Sequence, residues 1–276
     1  MTGTKAMVTG ASRGIGKATA VALAQAGFDV AITARTLHSG ERRDNAISVH
    51  RPDDRPLPGS LEETGAAIEA AGRRALLLPF DLTDLDAVGH AGQRVLDEWG
   101  GVDVLVHNGR YIGPGLMDVL FDTPLDAYGK FLAAHLMAPL VLSRMLVPPM
   151  VERGAGTVVT ITSSSAVTVP PGPAGKGGWG HAYAVGKAAG HQLVPTLHAE
   201  FSGQGLRCFN VEPGFVATER NQLIIRDWGH DPSRGTAPEV IGAVVRWLVT
   251  SPDADRLVAQ TVDAQALARE RVLAPT

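Results

Sequence analysis

The chain has 276 residues, 45% of them hydrophobic and 5% aromatic, with 25 basic and 28 acidic side chains giving a net charge of −3. This length and apolar content suit one or two domains with a sizeable core, and the lack of a basic excess excludes nucleic acid and an anionic membrane surface as expected partners. The single cysteine, Cys208, excludes an intrachain disulfide and fits a reducing compartment; within the apolar run LRCFNV it is expected to be buried and inert.

The first strand is predicted at AMVT (6–9), preceded by no apolar leader segment. It runs into Thr9-Gly10-Ala11-Ser12-Arg13-Gly14-Ile15-Gly16 and then into the helical KATAVALAQAG. Glycines at such a turn let the backbone approach a pyrophosphate, and the helix that follows offers free N–H groups and a partial positive charge at its start. Placed between the first strand and first helix of a βαβ unit, the loop reads as a dinucleotide site rather than a bare turn. The second strand, DVAITA (29–34), ends in Thr33-Ala34-Arg35, with no carboxylate for a ribose 2′-hydroxyl; Asp29 lies at the opposite end. Arg35 and Arg13 suit a 2′-phosphate, so NADP(H) is expected over NAD(H).

Residues 36–60 are polar, proline-rich and aperiodic, an insertion near the adenosine end. It either clasps a 2′-phosphate with Arg42 or Arg43 or decorates the surface, and decoration is the expectation. Ser60-Leu-Glu-Glu63 then has the form of a capping box. The third strand is predicted at ALLLPFDL (75–82), followed by a second box at Thr83-Asp-Leu-Asp86, and the fourth at VDVLVH (102–107). Residues 131–150 are the longest apolar stretch. His135, Arg144 and three prolines interrupt them, which predicts a buried helix rather than a membrane span and, with the composition, a cytoplasmic protein. The fifth strand, GTVVTITS (156–163), precedes a Pro/Gly loop around Trp179 at 169–180. A helix carrying HAYAVGKAAG comes next, then a sixth strand at LRCFNV (206–211). A third box, Thr236-Ala-Pro-Glu239, and a seventh strand at QTVD (260–263) complete the series. Continuous apolar strands alternating with helices predict one α/β domain over 1–276, a doubly wound parallel sheet with helices on both faces.

Tyr183 and Lys187 stand one helical turn apart and so share a face. A tyrosine is ordinarily neutral at pH 7, its pKa being about 10, and a neighbouring ammonium favours the phenolate. Tyr183 can then exchange a proton with a carbonyl or alcohol oxygen.

With TGASRGIG (9–16), FDLTD (80–84), HNGR (107–110), TITSS (160–164), YAVGK (183–187) and NVEPGFVAT (210–218) in order, the chain resembles the short-chain dehydrogenase/reductase family from about residue 4 to about residue 264. The resemblance implies a single-domain Rossmann fold of about seven parallel strands. It also implies NAD(P)-dependent interconversion of alcohols and ketones, and a homodimer or homotetramer acting on a small carbonyl or alcohol substrate. It makes Ser163 the residue that hydrogen-bonds the substrate oxygen, with a one-residue slip to Thr162 or Ser164 left open. Asp81, next to Leu82, should face the adenine, and Asn108, next to Gly109, the adenine ribose. Lys187 should also hold the nicotinamide ribose, while Pro213, Gly214, Val216 and Thr218 border the carboxamide. Gly10, Ser12, Gly14, Ile15 and Gly16 complete the cofactor set.

Three departures stand out. Arg110 replaces a glycine of the family's Asn-Asn-Ala-Gly turn; it would clash, reach a phosphate or an acidic substrate, or, as expected, turn outward. His135 occupies the place of the asparagine that completes the family's proton relay, and reads equally as a relay residue or a core histidine. Ser163 and Tyr183 are 20 positions apart (183 − 163), more than is usual, the excess being the Pro/Gly loop, expected to wall the substrate pocket. A second wall, able to close as a lid, is expected from residues 216–237, where Leu223, Ile224, Ile225 and Trp228 read either as apolar surface for a bulky hydrophobic substrate or equally as a packed helix or subunit contact, and Leu267–Thr276 is expected against a neighbouring copy. No metal site is expected. The leading reading is an NADPH-dependent ketone reductase. The alternatives are a catalytically silent NADP(H)-binding regulatory or scaffold protein and an epimerase or dehydratase, whose glycine loop is differently spaced.

Overall fold

The computed structural model describes residues 3–224 and 231–273. Seven strands, β1 (Lys5–Thr9), β2 (Asp29–Ala34), β3 (Ala75–Pro79), β4 (Val104–His107), β5 (Gly156–Ile161), β6 (Leu206–Glu212) and β7 (Thr261–Asp263), form one sheet. Their order is β3-β2-β1-β4-β5-β6-β7 and every pairing is parallel. The apolar runs are continuous because both faces are covered. Ala6 and Val8 enter one core layer with Val30, Ile32, Val104 and Val106, while Met7, Ala31 and Leu105 enter the other. Predicted β3 shortens to Pro79, since Phe80 and the residues after it leave the ladder to form the turn before the next helix.

Helices α1 (Gly14–Gln25), α2 (Leu61–Ala70), α9 (Pro238–Thr250) and α10 (Ala264–Arg271) cover the first layer, and α3 (Leu85–Trp99), α5 (Ala138–Glu152) and α7 (Leu193–Phe201) the second. The remaining helices are α4 (Leu125–Leu132), α6 (His181–His191) and α8 (Glu219–Ile224). A π-helical turn, Ala133–Met137, joins α4 to α5 in one continuous helix. By length and composition, Leu125–Glu152 could cross a membrane, but half of its most apolar window is buried against the rest of the protein. Cys208 is fully buried and its thiol is pushed up to about 12 by burial.

Of the three predicted capping boxes, Ser60 holds, its side chain accepting from the Glu63 N–H. The second cap moves one residue, to Asp84, because Thr83 is engaged by the Asp81 carboxylate. The third fails: Thr236 pairs with Val216 as an isolated bridge, and α9 begins after Ala237 with Pro238 in its first turn. Leu267 and Ala268, assigned to a neighbouring copy, instead join this chain's own core.

Residues 36–60 are more than decoration. The chain crosses from the end of β2 to the far side of the cleft, where the Met117 N–H donates to the Ile47 carbonyl (3.0 Å) and Ser48 binds the buried Asp118 carboxylate. Ile47 and Leu57 pack in a small apolar cluster with Leu116, Phe131 and Tyr183. The sequence runs from β1 back to β2 and forward to β4, so the strand order reverses between β1 and β4, and a cleft opens there beyond the carboxyl ends of the strands.

Candidate active site

A cavity of about 860 Å³ occupies this cleft, and every predicted cofactor residue lines it, as do Ser163, Tyr183 and Lys187. His135 lies behind its wall. Gly10 and Gly14 adopt φ of 69° and 55°, which favours glycine. A Cβ on Gly10 would come within 2.6 Å of the Gly109 Cα, and one on Gly16 within 2.2 Å of the Gly10 carbonyl. Strand, turn and helix are thus held close enough for the N–H groups at the start of α1 to face the cavity, and the cradle fits a dinucleotide phosphate. Asn108 fixes the turn, its side-chain amide donating to the Thr9 and Gly10 carbonyls (2.8 and 3.1 Å).

One side chain reaches this region that the motif alone does not announce. The Glu219 carboxylate, 205 residues on, accepts from the Gly14 N–H at 2.9 Å, one of the donors a phosphate would use. Arg13 donates to the carbonyls of Pro58 (2.8 Å) and Gly59 (3.0 Å), so its guanidinium ties down the 36–60 segment. Arg35 stands at the end of β2, 3.6 Å from the Asp81 carboxylate.

At the other end, α6 presents Tyr183 and Lys187 on one face, both buried. The Lys187 ammonium donates to the Ile161 carbonyl at 2.9 Å. Burial alone would raise the Tyr183 phenol above its ordinary value. The Lys187 and Arg110 charges, with hydrogen bonding from Ser163 and Arg110, outweigh it and bring the phenol below that value. Lys187 is itself lowered, by burial first and then by Arg110, with Tyr183 opposing. Thr162, Ser163 and Ser164 all line the cavity; Ser163 is the one that acts on the phenol, while Thr162 Oγ1 pairs with His191 Nδ1 (2.8 Å). Arg110, expected to turn outward, instead lines the cavity, a correction that follows from the half-buried turn in which it sits, and its charge acts on Tyr183.

His135 occupies the π-helical turn, 5% exposed, its ring edge-on to Tyr183 with centroids 5.9 Å apart. Among the described residues neither ring nitrogen has a hydrogen-bond partner. Burial, reinforced by Lys187 and Arg110, lowers its pKa well below the usual histidine range, so the ring is neutral. It packs on α6 through Gly186, where a Cβ would meet its Nδ1 at 2.7 Å.

The Pro/Gly loop does wall the cavity, through Gly177, Gly178 and Trp179. The second apolar wall is formed by Tyr111, Ile112, Leu116 and Met117 after β4. Leu223 is 43% exposed, and the side chain of Ile224, together with Ile225 and Trp228, lies outside the described residues. Arg220, which carried no sequence signal, is 8% exposed and lines the cavity.

The sequence model of the short chain dehydrogenase family matches residues 4–53 and 56–227. Over 219 residues the chain is 34% identical to a short chain dehydrogenase of Pseudocercospora fijiensis, covering 79% of this chain and 61% of that protein. It is 29% identical to the 2-(R)-hydroxypropyl-CoM dehydrogenase of Xanthobacter autotrophicus, covering 79% and 76%. Among solved structures it resembles L-sorbose reductase from Gluconobacter frateurii, complexed with NADPH and L-sorbose, with a TM-score of 0.73, 26% identity and 96% of both chains covered.

Proposed function

The chain belongs to the short chain dehydrogenase family, and from that premise we propose that it is an NADP(H)-dependent oxidoreductase interconverting a bulky, hydrophobic ketone and its secondary alcohol. Support for NADP(H) comes from the end of β2, where Ala34-Arg35 offers a cation and no carboxylate, and from the NADPH held by the similar L-sorbose reductase. Bound in the cleft, the nicotinamide supplies or accepts the hydride.

The observation that carries this reading is the gathering of Tyr183, Lys187 and Ser163 on one cavity, where Lys187, Arg110 and Ser163 lower the phenol despite its burial. A buried acid that is easier to ionise than in water is suited to proton exchange with a reacting oxygen. Tyr183 gives its proton to the carbonyl oxygen in reduction and takes it from the alcohol in oxidation, and Ser163 orients that oxygen. Lys187 spends one N–H on Ile161, leaving two for ribose hydroxyls. Neutral His135, with two unpaired ring nitrogens, takes the relay asparagine's place behind the phenol, one nitrogen donating and the other accepting. The apolar walls at Tyr111–Met117 and Trp179 receive the body of the substrate. Exposed Leu120, Phe121 and Leu125 suit burial in a homodimer or homotetramer.

NADPH consumption across a panel of bulky ketones, with and without Tyr183→Phe, tests the assignment. Loss of about 100-fold or more in kcat with NADPH affinity retained is the expected outcome. Turnover unchanged by the substitution would refute it, and tight NADPH binding without turnover on any carbonyl would favour the silent cofactor-binding reading.

A further inference from the structure

The cavity contains more cationic side chains than its carboxylates satisfy. Arg13 is spent on backbone carbonyls, Arg35 pairs with Asp81, and Lys187 holds Ile161. The carboxylates are similarly engaged: Glu212 accepts from the Ser164 and Gly214 N–H groups, and Asp231 from the Ser233 N–H and hydroxyl. Arg110, Arg220 and the exposed Arg234 remain, and of these Arg220 is buried and Arg110 half-buried. Arg220 is 8% exposed, and among the described residues its Nε has no hydrogen-bond partner and its one hydrogen bond is a long 3.4 Å contact to the Asn45 carbonyl. Each guanidinium lies in the other's field, and the acid that acts on Arg220, Asp53, is itself bonded by Arg55. Burying an arginine without a counter-charge is costly unless an anion completes the site.

We propose that Arg110 and Arg220 form an anion-binding end of the substrate pocket, so that the substrate carries a carboxylate or equivalent anionic group close to its carbonyl. The inference rests on the oxidoreductase reading for where the carbonyl sits. Arg110 lines the same cavity as Tyr183 and Ser163, and its charge acts on the phenol that would hold the carbonyl oxygen, which favours a carboxylate on the carbonyl carbon or on its neighbour. The planar fork matches two carboxylate oxygens at once. The N–H groups at the start of α1 suit a cofactor diphosphate, whereas the Arg110 charge acts on the Tyr183 phenol. The apolar body of the substrate then lies against Leu116, Met117 and Trp179, giving a hydrophobic oxo acid.

The test compares 2-oxo-4-phenylbutanoate with its ethyl ester, two probes that differ in charge at one end. The native enzyme should show a kcat/KM for the acid about tenfold or more above that for the ester. In Arg110→Met and Arg220→Met this ratio should collapse toward unity, chiefly through the KM for the acid, and Arg110→Lys should restore part of it. Circular dichroism establishes that each variant is folded, and the half-buried Arg110 keeps the test open if Arg220→Met is not. NADPH affinity, read by fluorescence, should stay within a few-fold of the native value. An equal preference for acid and ester in the native enzyme, or a fall in NADPH affinity with the ratio unchanged, overturns the proposal. Calorimetry of the acid with the NADP⁺ complex of Tyr183→Phe separates the two readings. Binding lost on adding Arg110→Met upholds the anion site even if no carbonyl is ever turned over, whereas indifference to Arg110 discards it.

Discussion

At Tyr183 two effects oppose one another: burial favours the neutral phenol, and two cations favour the phenolate. In the proposed reaction Arg110 would therefore act on proton transfer as well as on substrate charge. In the proposed oxidation the phenolate is the base, so the rate should rise with pH as Tyr183 deprotonates. Removing the Arg110 charge in Arg110→Met raises the phenol's pKa, and the rising limb of kcat against pH for alcohol oxidation should move to higher pH. The same profile staying in place would separate Arg110 from the proton step. His135 is tested by a pair of substitutions: His135→Phe removes both ring nitrogens and should lower kcat about tenfold or more with KM little changed, while His135→Asn should retain most of the rate. Its backing is already tight. A Cβ at Gly186 would approach His135 Nδ1 and the Phe131 Cβ (3.1 Å), so Gly186→Ala should cost about 1–3 kcal/mol of stability by overpacking, measured by urea denaturation.

Among elements, α8 and the 36–60 segment decide how the cleft is closed. Glu219, the first residue of α8, takes an N–H at the start of α1 that a cofactor phosphate would take, and it brings a negative charge to that place. Glu219→Gln should tighten NADPH binding about fivefold, the effect fading at high salt, as judged by fluorescence titration. Weaker binding would mean that the carboxylate supports the cofactor rather than competing with it. The insertion is anchored at its far end by the start of α2, where Ser60 accepts from Glu63. Ser60→Ala should cost about 1 kcal/mol in chemical denaturation.

For the whole molecule, buried neutral histidines set the acid limit. His107, fully buried beside Ser143, is held at about 3 by burial, and His135 is lowered in the same direction. Both titrate near 6.5 once unfolded, so acid drives protons onto the unfolded chain first. Their contribution to stability is complete above about pH 6.5 and is lost as pH falls from there toward the folded values. Thermal melts should show Tm falling below that pH, with His107→Phe, if folded, giving a flatter acid limb; a parallel decline in the variant would place the loss elsewhere. Much of this architecture is legible in the chain itself. β2 occupies the predicted 29–34, and the glycine loop, the Ser163 strand end and the Tyr183–Lys187 helix gather on one cavity, because strand alternation and turn chemistry act between near neighbours. The direction of Arg110, the burial of Arg220, the crossing of residues 36–60 to Met117 and the meeting of Glu219 with Gly14 are different. Each depends on which distant segment fills the space beside it, and only tertiary packing supplies that neighbour.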